Sequence, residues 1–225
     1  MREVQFLTKV ALIITCAFVV AGIFPCTSFA QAEESKSPWM VRMRLLAVEP
    51  DDSSSTITTI GGKAGVDNGL TGDVDFSYFF TDNIAAELTL AVTEHSVRAS
   101  NTAAGNVDLG KVKLLPPTLT LQYHLAPDAQ YRPYIGAGVN YTIFFDEEGC
   151  PSSNTIALKT DYEDAFGLAL QAGIDIGITE KLAINFDVKK IFLQTEATVT
   201  TTGPRLKTDV DIDPWLIGVG LSYRF

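Results

Sequence analysis

Beyond its first thirty residues the 225-residue chain has no apolar run long enough to cross a membrane as a helix, which excludes a helical membrane bundle. Cysteine is nearly as scarce. Cys16 and Cys26 lie within those thirty residues, so Cys150 stands alone in "DEEGCPSSN". One cysteine closes no intrachain disulfide, and with no metal-ligand company nearby it reads as a free loop thiol. Histidine is confined to His95 and His124. Acyl transfer or hydrolysis needs a Ser, a His and a carboxylate within hydrogen-bond reach. On a strand Glu94 and Ser96 share a side that His95 does not, so no catalytic residue and no enzymatic role are expected. Positive charge is also in deficit, with 17 Lys and Arg against 27 Asp and Glu and a net −10. Such a chain is a poor electrostatic partner for nucleic acid or an anionic surface. "GAG" and "GVG" lack the following helix that a nucleotide loop needs. "DVDID" at 209–213 lacks the spacing of a calcium loop. "NYT" at 140–142 matches a glycosylation sequon but falls in a strand pattern. Neither cofactor nor metal is expected.

The first thirty residues form a separate unit. Arg2 and Lys9 make a basic start, Val10 to Phe24 is apolar, and "TSFAQA" offers small residues for cleavage after Ala30 or Ala32, the pattern of a secretory signal peptide. Residues 31–225 are then one domain. Removal of 1–30 takes away two cations and one anion, moving the net charge from −10 to −11.

The mature chain is dominated by alternation with period two. In "WMVRMRLLAV" Trp39, Val41, Met43, Leu45 and Ala47 alternate with a face carrying Arg42 and Arg44. The same pattern recurs in "DVDFSYFF", "IAAELTLAV", "TLTLQYHL", "PYIGAGVNYTIFF", "FGLALQAGIDIGI", "KLAINFDVKKIFL" and the terminal "WLIGVGLSYRF". These are eight candidate strands. The connections alternate too: 81–83, 126–132 and 179–180 are short, whereas 50–69, 97–110, 147–162 and 195–208 are long and rich in Ser, Thr, Gly and Asp.

A soluble barrel or sandwich would bury the apolar face and leave the glycines of the polar face exposed without purpose. Inverted, with apolar residues toward lipid and polar or small residues in a narrow lumen, all eight segments fit an all-β, eight-stranded antiparallel transmembrane β-barrel with long extracellular loops and short periplasmic turns. Closure satisfies every backbone donor and acceptor in hydrocarbon, which an open sheet cannot do. Trp39, Tyr78, Phe80, Tyr123, Tyr141, Phe145, Phe192, Trp215 and Tyr223 fall near strand ends on the lipid parity, as interface belts require. The expected location is the outer membrane of a Gram-negative bacterium, with periplasmic termini. Lipids and lipopolysaccharide are the expected surroundings, and "DEE" at 146–148 and "DVDID" read as solvated loop charge near them.

The stretches "WMVRMRLLAVEP", "YFFTDNIAAEL", "LPPTLTLQYHL", "RPYIGAGVNYTIFF", "FGLALQAGIDIGI" and "DIDPWLIGVGLSYRF" resemble the OmpW family of small outer-membrane proteins, in the family's order and over most of the mature chain. The departures lie in the external loops, notably "EEGCPSSN" with Cys150. The resemblance implies an eight-stranded barrel and a channel for passive uptake of small hydrophobic molecules. It also implies a surface-receptor role in some relatives, with bacteriocin or phage binding at the loops. Tyr223 and the terminal Phe225 resemble the signal by which the barrel-assembly machinery recognises its clients.

With periplasmic termini the lumen residues sort by height. Arg42, Arg44, Asp75, Glu87, Gln122, His124, Asp175, Asn185, Asp187 and Arg224 fall toward the periplasm, as a polar floor of paired charges. Leu46, Val48, Phe144, Ile191, Leu193, Ile212 and Leu216 fall toward the outside, as an apolar funnel. A solute held above a closed floor must leave sideways. Pro116, Pro117 and Pro214 cannot donate to a strand ladder. Two readings of them stand side by side: bulges or gaps that form a lateral opening, or a plain end to pairing above the membrane. Lys190 sits on the lipid parity, either snorkelling to the interface or shifted by a bulge.

Overall fold

The computed structural model describes residues 37–49, 55–56, 63–66, 69–102, 105–148, 159–162, 164–200, 206–211 and 213–225; for 55–56, 63–66, 94–102, 105–112, 144–148, 159–162, 194–200 and 206–211 it describes the backbone alone. The signal-peptide segment and Cys150 lie outside the described residues.

Eight strands close the barrel: β1 (Trp39–Glu49), β2 (Gly69–Phe79), β3 (Ile84–Ala91), β4 (Thr118–His124), β5 (Tyr131–Glu148), β6 (Ala165–Gly177), β7 (Leu182–Thr200) and β8 (Trp215–Arg224). Each pairs antiparallel with its neighbours in sequence, and β8 returns to β1 through the register Met40↔Arg224 to Glu49↔Trp215. Closure leaves no edge of unpaired backbone, the condition a sheet must meet in hydrocarbon. Burial alternates strictly. In β1 the even positions from Met40 to Val48 are buried, while Met43 and Leu45 are each 61 % exposed. The exposed faces of the other strands carry Phe76, Leu121, Val139, Phe166, Leu168, Phe186 and Ile217, so the apolar face points outward. That orientation is the inverse of a soluble fold.

Ser37, the first described residue, shares one end of the barrel with the C-terminal Phe225 and the short turns. The Ser37 N–H donates to the Phe225 carbonyl at 3.1 Å, and the Phe225 N–H to the Trp39 carbonyl at 3.2 Å. Two of the turns use one device. The Thr81 hydroxyl accepts from the Asn83 and Ile84 amides at 3.3 and 3.0 Å, and the Thr179 hydroxyl from those of Lys181 and Leu182 at 3.3 and 3.0 Å. A threonine oxygen that supplies a turn's acceptor needs no glycine.

At the far end the sheet continues past the barrel. Strands Thr93–Thr102 and Gly105–Leu115 form a hairpin, and Leu206–Asp211 pairs with the outer half of β7. The long connections at 50–69, 97–110, 147–162 and 195–208 therefore contain strand, with Ser55–Thr56, Lys63–Val66 and Lys159–Tyr162 beside those just named. Their Thr and Val content suits a pleated ladder, and an existing strand end supplies the template.

The lumen-side glycines explain how the wall curves so tightly. A Cβ at Gly220 would strike the Met43 carbonyl oxygen, and one at Gly138 the Leu119 carbonyl oxygen. Neighbouring backbone lies too close at those two positions for any side chain. Aromatic residues ring the outer surface. Trp39, Tyr78 and Phe80 form an edge-to-face series with centroids 4.9 and 5.3 Å apart near the termini, and Tyr141 packs on Phe166 at 4.5 Å toward the other end.

Lys190 lies on the outward face with no shift of register, since Leu170↔Lys190 and Lys190↔Trp215 continue their ladders. The bulge reading is thereby overturned. The ammonium donates to the Asp213 carbonyl at 2.6 Å and lies 5.0 Å from the centre of the Trp215 ring. Asp213 adopts φ 29°, a conformation uncommon outside glycine, and its carboxylate accepts the Leu193 amide at 2.8 Å.

Candidate functional site

The lumen is built in three layers, each set by where alternate residues of the eight strands fall. The lowest, nearest the termini, is aromatic and apolar. Met40, Phe79 and Ala85 cluster there, and the His124 ring sits between Phe79 at 4.9 Å and Tyr134 at 5.0 Å. The Arg224 guanidinium lies 4.1 Å from the Phe79 ring centre, while its Nε donates to the Ser37 carbonyl at 3.0 Å. His124 and Arg224 were expected within the charged floor. The His124 ring stacks in this aromatic plug while its Nε2 stands in hydrogen-bond contact with Gln122 Oε1 of the layer above at 3.2 Å, and Arg224 lies in the plug because Phe79 projects inward at the same height.

The middle layer is a buried ionic network. Arg42 from β1 bridges Glu87 on β3 at 2.5 Å and Asp175 on β6 at 2.8 Å, and donates to the Ser77 hydroxyl at 2.9 Å. Arg44 pairs with Asp73 at 2.7 Å, Asp75 at 2.5 Å and Asp187 at 3.3 Å. Lys189 from β7 reaches across to β3, donating to the Thr89 hydroxyl at 2.8 Å and standing 3.2 Å from Glu87. It also faces Asp187 at 3.7 Å and Asp75 at 3.9 Å. Gln171 donates to Glu87 at 2.9 Å and Asp187 at 2.7 Å, and accepts from Thr120 and Gln122. Asn185 donates to Asp175 and to the Tyr134 hydroxyl, which in turn donates to Asp187 at 2.7 Å. Burial on this scale is tolerated because each ion has an opposite partner. Contacts running from β1 to β6 and from β7 to β3 fill the cross-section with side chains.

Five carboxylates, Asp73, Asp75, Glu87, Asp175 and Asp187, face three cations, Arg42, Arg44 and Lys189. Lys189, Asp73, Gln171 and Tyr134 were absent from the residues expected to form the floor. The signal was available, because Lys189 shares parity with Asn185 and Asp187, and Tyr134 with Gly136 and Asn140. Tyr134 lies in the first turn-side residues of β5, and its ring fits only because Gly173 presents no Cβ to it.

The upper layer is two-sided. Leu46 and Val48 of β1, Ala165 and Ala169 of β6, Ile191 and Leu193 of β7 and Leu216 of β8 make one buried apolar cluster. Of the remaining residues expected in the funnel, Ile212 lies outside the described residues and the backbone alone of Phe144 is described. The facing wall, from β3 to β5, carries a polar patch, beside which Ala91, Leu115 and Ile143 are also buried. There Asn140 Nδ2 donates to the Thr118 hydroxyl at 2.9 Å and to the Pro116 carbonyl at 3.2 Å, and the Thr142 hydroxyl donates to Asn140 Oδ1 at 2.7 Å.

That wall carries a break in the sheet. Pairing of β3 with β4 ends at Thr89↔Thr118 and resumes above at Thr93↔Leu114. The pairing with β5 likewise stops at Thr118↔Asn140 and resumes at Leu115↔Ile143. Residue numbers advance equally on both sides, so Pro116 and Pro117 interrupt the ladders without a bulge. The missing rungs follow from two residues that have no N–H, and the stranded proline carbonyls are satisfied by Asn140, by Thr118 and by the Tyr141 amide at 3.0 Å. At Pro214 the ladder between β7 and β8 is interrupted in the same way, ending at Lys190↔Trp215 and taken up again in the same register at Gln194↔Asp211, and across that gap the Pro214 carbonyl accepts the Ile191 amide at 3.1 Å.

The OmpW family model matches residues 36–225. An uncharacterized outer-membrane protein y4mB of Sinorhizobium fredii is 44 % identical over 84 % of this chain and 80 % of its own length. The dibenzothiophene metabolism operon protein PahQ of Pseudomonas aeruginosa is 31 % identical over 92 % of this chain and 97 % of its own. Among solved structures, the crystal structure of the outer membrane protein OprG from Pseudomonas aeruginosa superposes with a TM-score of 0.74 at 33 % identity, covering 84 % of this chain and 97 % of that one. A closed eight-stranded barrel with its apolar face outward, matched over nearly all of the described chain, is an integral protein of the Gram-negative outer membrane and belongs to the OmpW family.

Proposed function

We propose that the barrel carries small hydrophobic molecules passively inward across the outer membrane. The observation behind this reading is the stacking of a buried apolar cluster, Leu46, Val48, Ile191, Leu193 and Leu216, on a floor closed by buried ion pairs. An apolar solute gains from leaving water for such a surface by roughly 25 cal/mol per Å² of surface buried. It gains nothing from the charged layer below, where passage would require the ion pairs to be broken. The remaining exit is sideways. The interrupted ladders at Pro116 and Pro117, on both sides of β4, supply a wall segment with few backbone hydrogen bonds to part, and the interruption between β7 and β8 at Pro214 is a second candidate for the same exit. The name of the similar PahQ protein ties it to metabolism of dibenzothiophene, an apolar compound, which agrees in character with such a cargo.

In this reading the aromatic belts sit among lipid headgroups and lipopolysaccharide, Tyr223 and Phe225 serve as the recognition signal for the assembly machinery, and the external loops are the docking surface for any bacteriocin or phage. The test is uptake of a small apolar fluorophore by cells with and without the protein, beside a Leu216→Asp variant shown to be folded. Faster uptake that Leu216→Asp abolishes is expected. Equal uptake in all three would refute transport and leave a receptor or structural barrel.

A further inference from the structure

Among the described residues, the upper lumen contains one polar group that the fold leaves unused. Thr93 is 5 % exposed, and its hydroxyl is buried without a hydrogen-bond partner. The neighbouring lumen hydroxyls are all engaged: Thr89 with Lys189, Thr118 with Pro116 and Asn140, Thr120 with Gln171, and Thr142 with Asn140. Thr93 continues the inward parity of Ala85, Glu87, Thr89 and Ala91, whereas Val92 beside it is 56 % exposed. It stands opposite Leu114, at the first rung above the proline break. A buried hydroxyl without a partner is costly, and such a group in a native fold calls for an explanation.

We infer that the upper lumen selects solutes that join an apolar body to one uncharged hydrogen-bonding group, of the alkanol or alkanone type, with Thr93 as the partner of that group. The two-sided lining of the upper lumen fits this class. The apolar body lies against Leu46, Ile191, Leu193 and Leu216, and the polar group meets Thr93 on the opposite wall, at the edge of the break. A carboxylate or other anionic head is disfavoured by the layer beneath, where five carboxylates face three cations whose charge is already committed to them. A pure alkane would leave Thr93 as it is in the empty barrel. This inference rests on the transport reading above and narrows its cargo.

The experiment uses purified full-length barrel in lipid vesicles, with n-octane, 1-octanol and octanoate as probes and protein-free vesicles as the baseline. Wild type is compared with Thr93→Val, which keeps the shape and removes the hydroxyl, and with Thr93→Ser, which keeps the hydroxyl. The wild type is expected to favour 1-octanol over n-octane and to exclude octanoate. Thr93→Val should lower 1-octanol entry by roughly two- to tenfold, the equivalent of one hydrogen bond, leave n-octane unchanged and unfold at no lower urea concentration. Thr93→Ser should restore the preference. In parallel, the Thr93 amide resonance should shift on addition of 1-octanol and not of n-octane. An unchanged 1-octanol to n-octane ratio in Thr93→Val, or octanoate entry equal to 1-octanol, would overturn the inference while transport stood. Failure of all three probes to enter through wild type would overturn both.

Discussion

Lys189 offers the sharpest test of the lumen architecture, because its ammonium is buried and three carboxylates stand 3.2, 3.7 and 3.9 Å from it. At an effective dielectric constant of about 20, each such pair attracts by roughly 4 to 5 kcal/mol. Desolvation of the ammonium costs several kcal/mol in opposition. Lys189→Met keeps the stem and removes the charge. It leaves Glu87, Asp75 and Asp187 with the two arginines and the Thr89 hydroxyl with its 3.5 Å bond to Glu87 alone. The expected loss is about 3 to 5 kcal/mol, the range for truncating one partner of a buried ion pair. Urea unfolding in lipid vesicles measures it, with Trp39 and Trp215 on the lipid face as fluorescent reporters. Adding Glu87→Gln to Lys189→Met should recover part of the loss, with a coupling above about 1.5 kcal/mol in the double-mutant cycle. A loss below about 1 kcal/mol together with zero coupling would refute the buried-network reasoning and show that water solvates this layer.

The close approach of strands at Gly220 should make Gly220→Ala costly. Its new Cβ would meet the Met43 carbonyl oxygen and stand 2.6 Å from Arg44 Cα, both backbone atoms that cannot swing aside. A loss of about 1 to 3 kcal/mol or more is expected, read as a fall in the yield of heat-modifiable folded barrel. Gly72→Ala would meet only the Arg44 carbonyl oxygen at 3.7 Å and should change stability by about 0.5 kcal/mol or less; equal losses at both positions would remove the steric explanation. For the exit, Pro116→Thr with Pro117→Thr restores two N–H donors to ladders whose register is already continuous, and should slow uptake of an apolar fluorophore severalfold in a folded protein. Undiminished uptake would place the exit elsewhere.

Much of this architecture is written locally in the chain. Alternation at period two identifies each strand. The contrast between faces, Met43 and Leu45 against Arg42 and Arg44, identifies which side meets lipid, because a charged side chain cannot remain unpaired in hydrocarbon. Parity also assigns Asp75, Glu87, Asp175 and Asp187 to the lumen correctly, since register in a closed barrel leaves no freedom to flip one strand.

What parity could not supply is height and partnership. His124 and Arg224 share the lumen with the charged residues but lie in the aromatic plug, a matter of strand tilt and of how far Phe79 and Tyr134 project. Lys189 belongs to the network through a reach across the lumen to Glu87 and Thr89 on β3, about a hundred residues away in sequence. The prolines announce missing donors, yet only the closed sheet shows that Pro116 and Pro117 interrupt the ladders on both sides of β4, whereas Pro214 interrupts the one between β7 and β8. The sequence alone determined which face of every strand is inward, because that is a property of alternate residues. The tertiary structure decided which inward groups touch, because contact depends on the tilt and closure of all eight strands together.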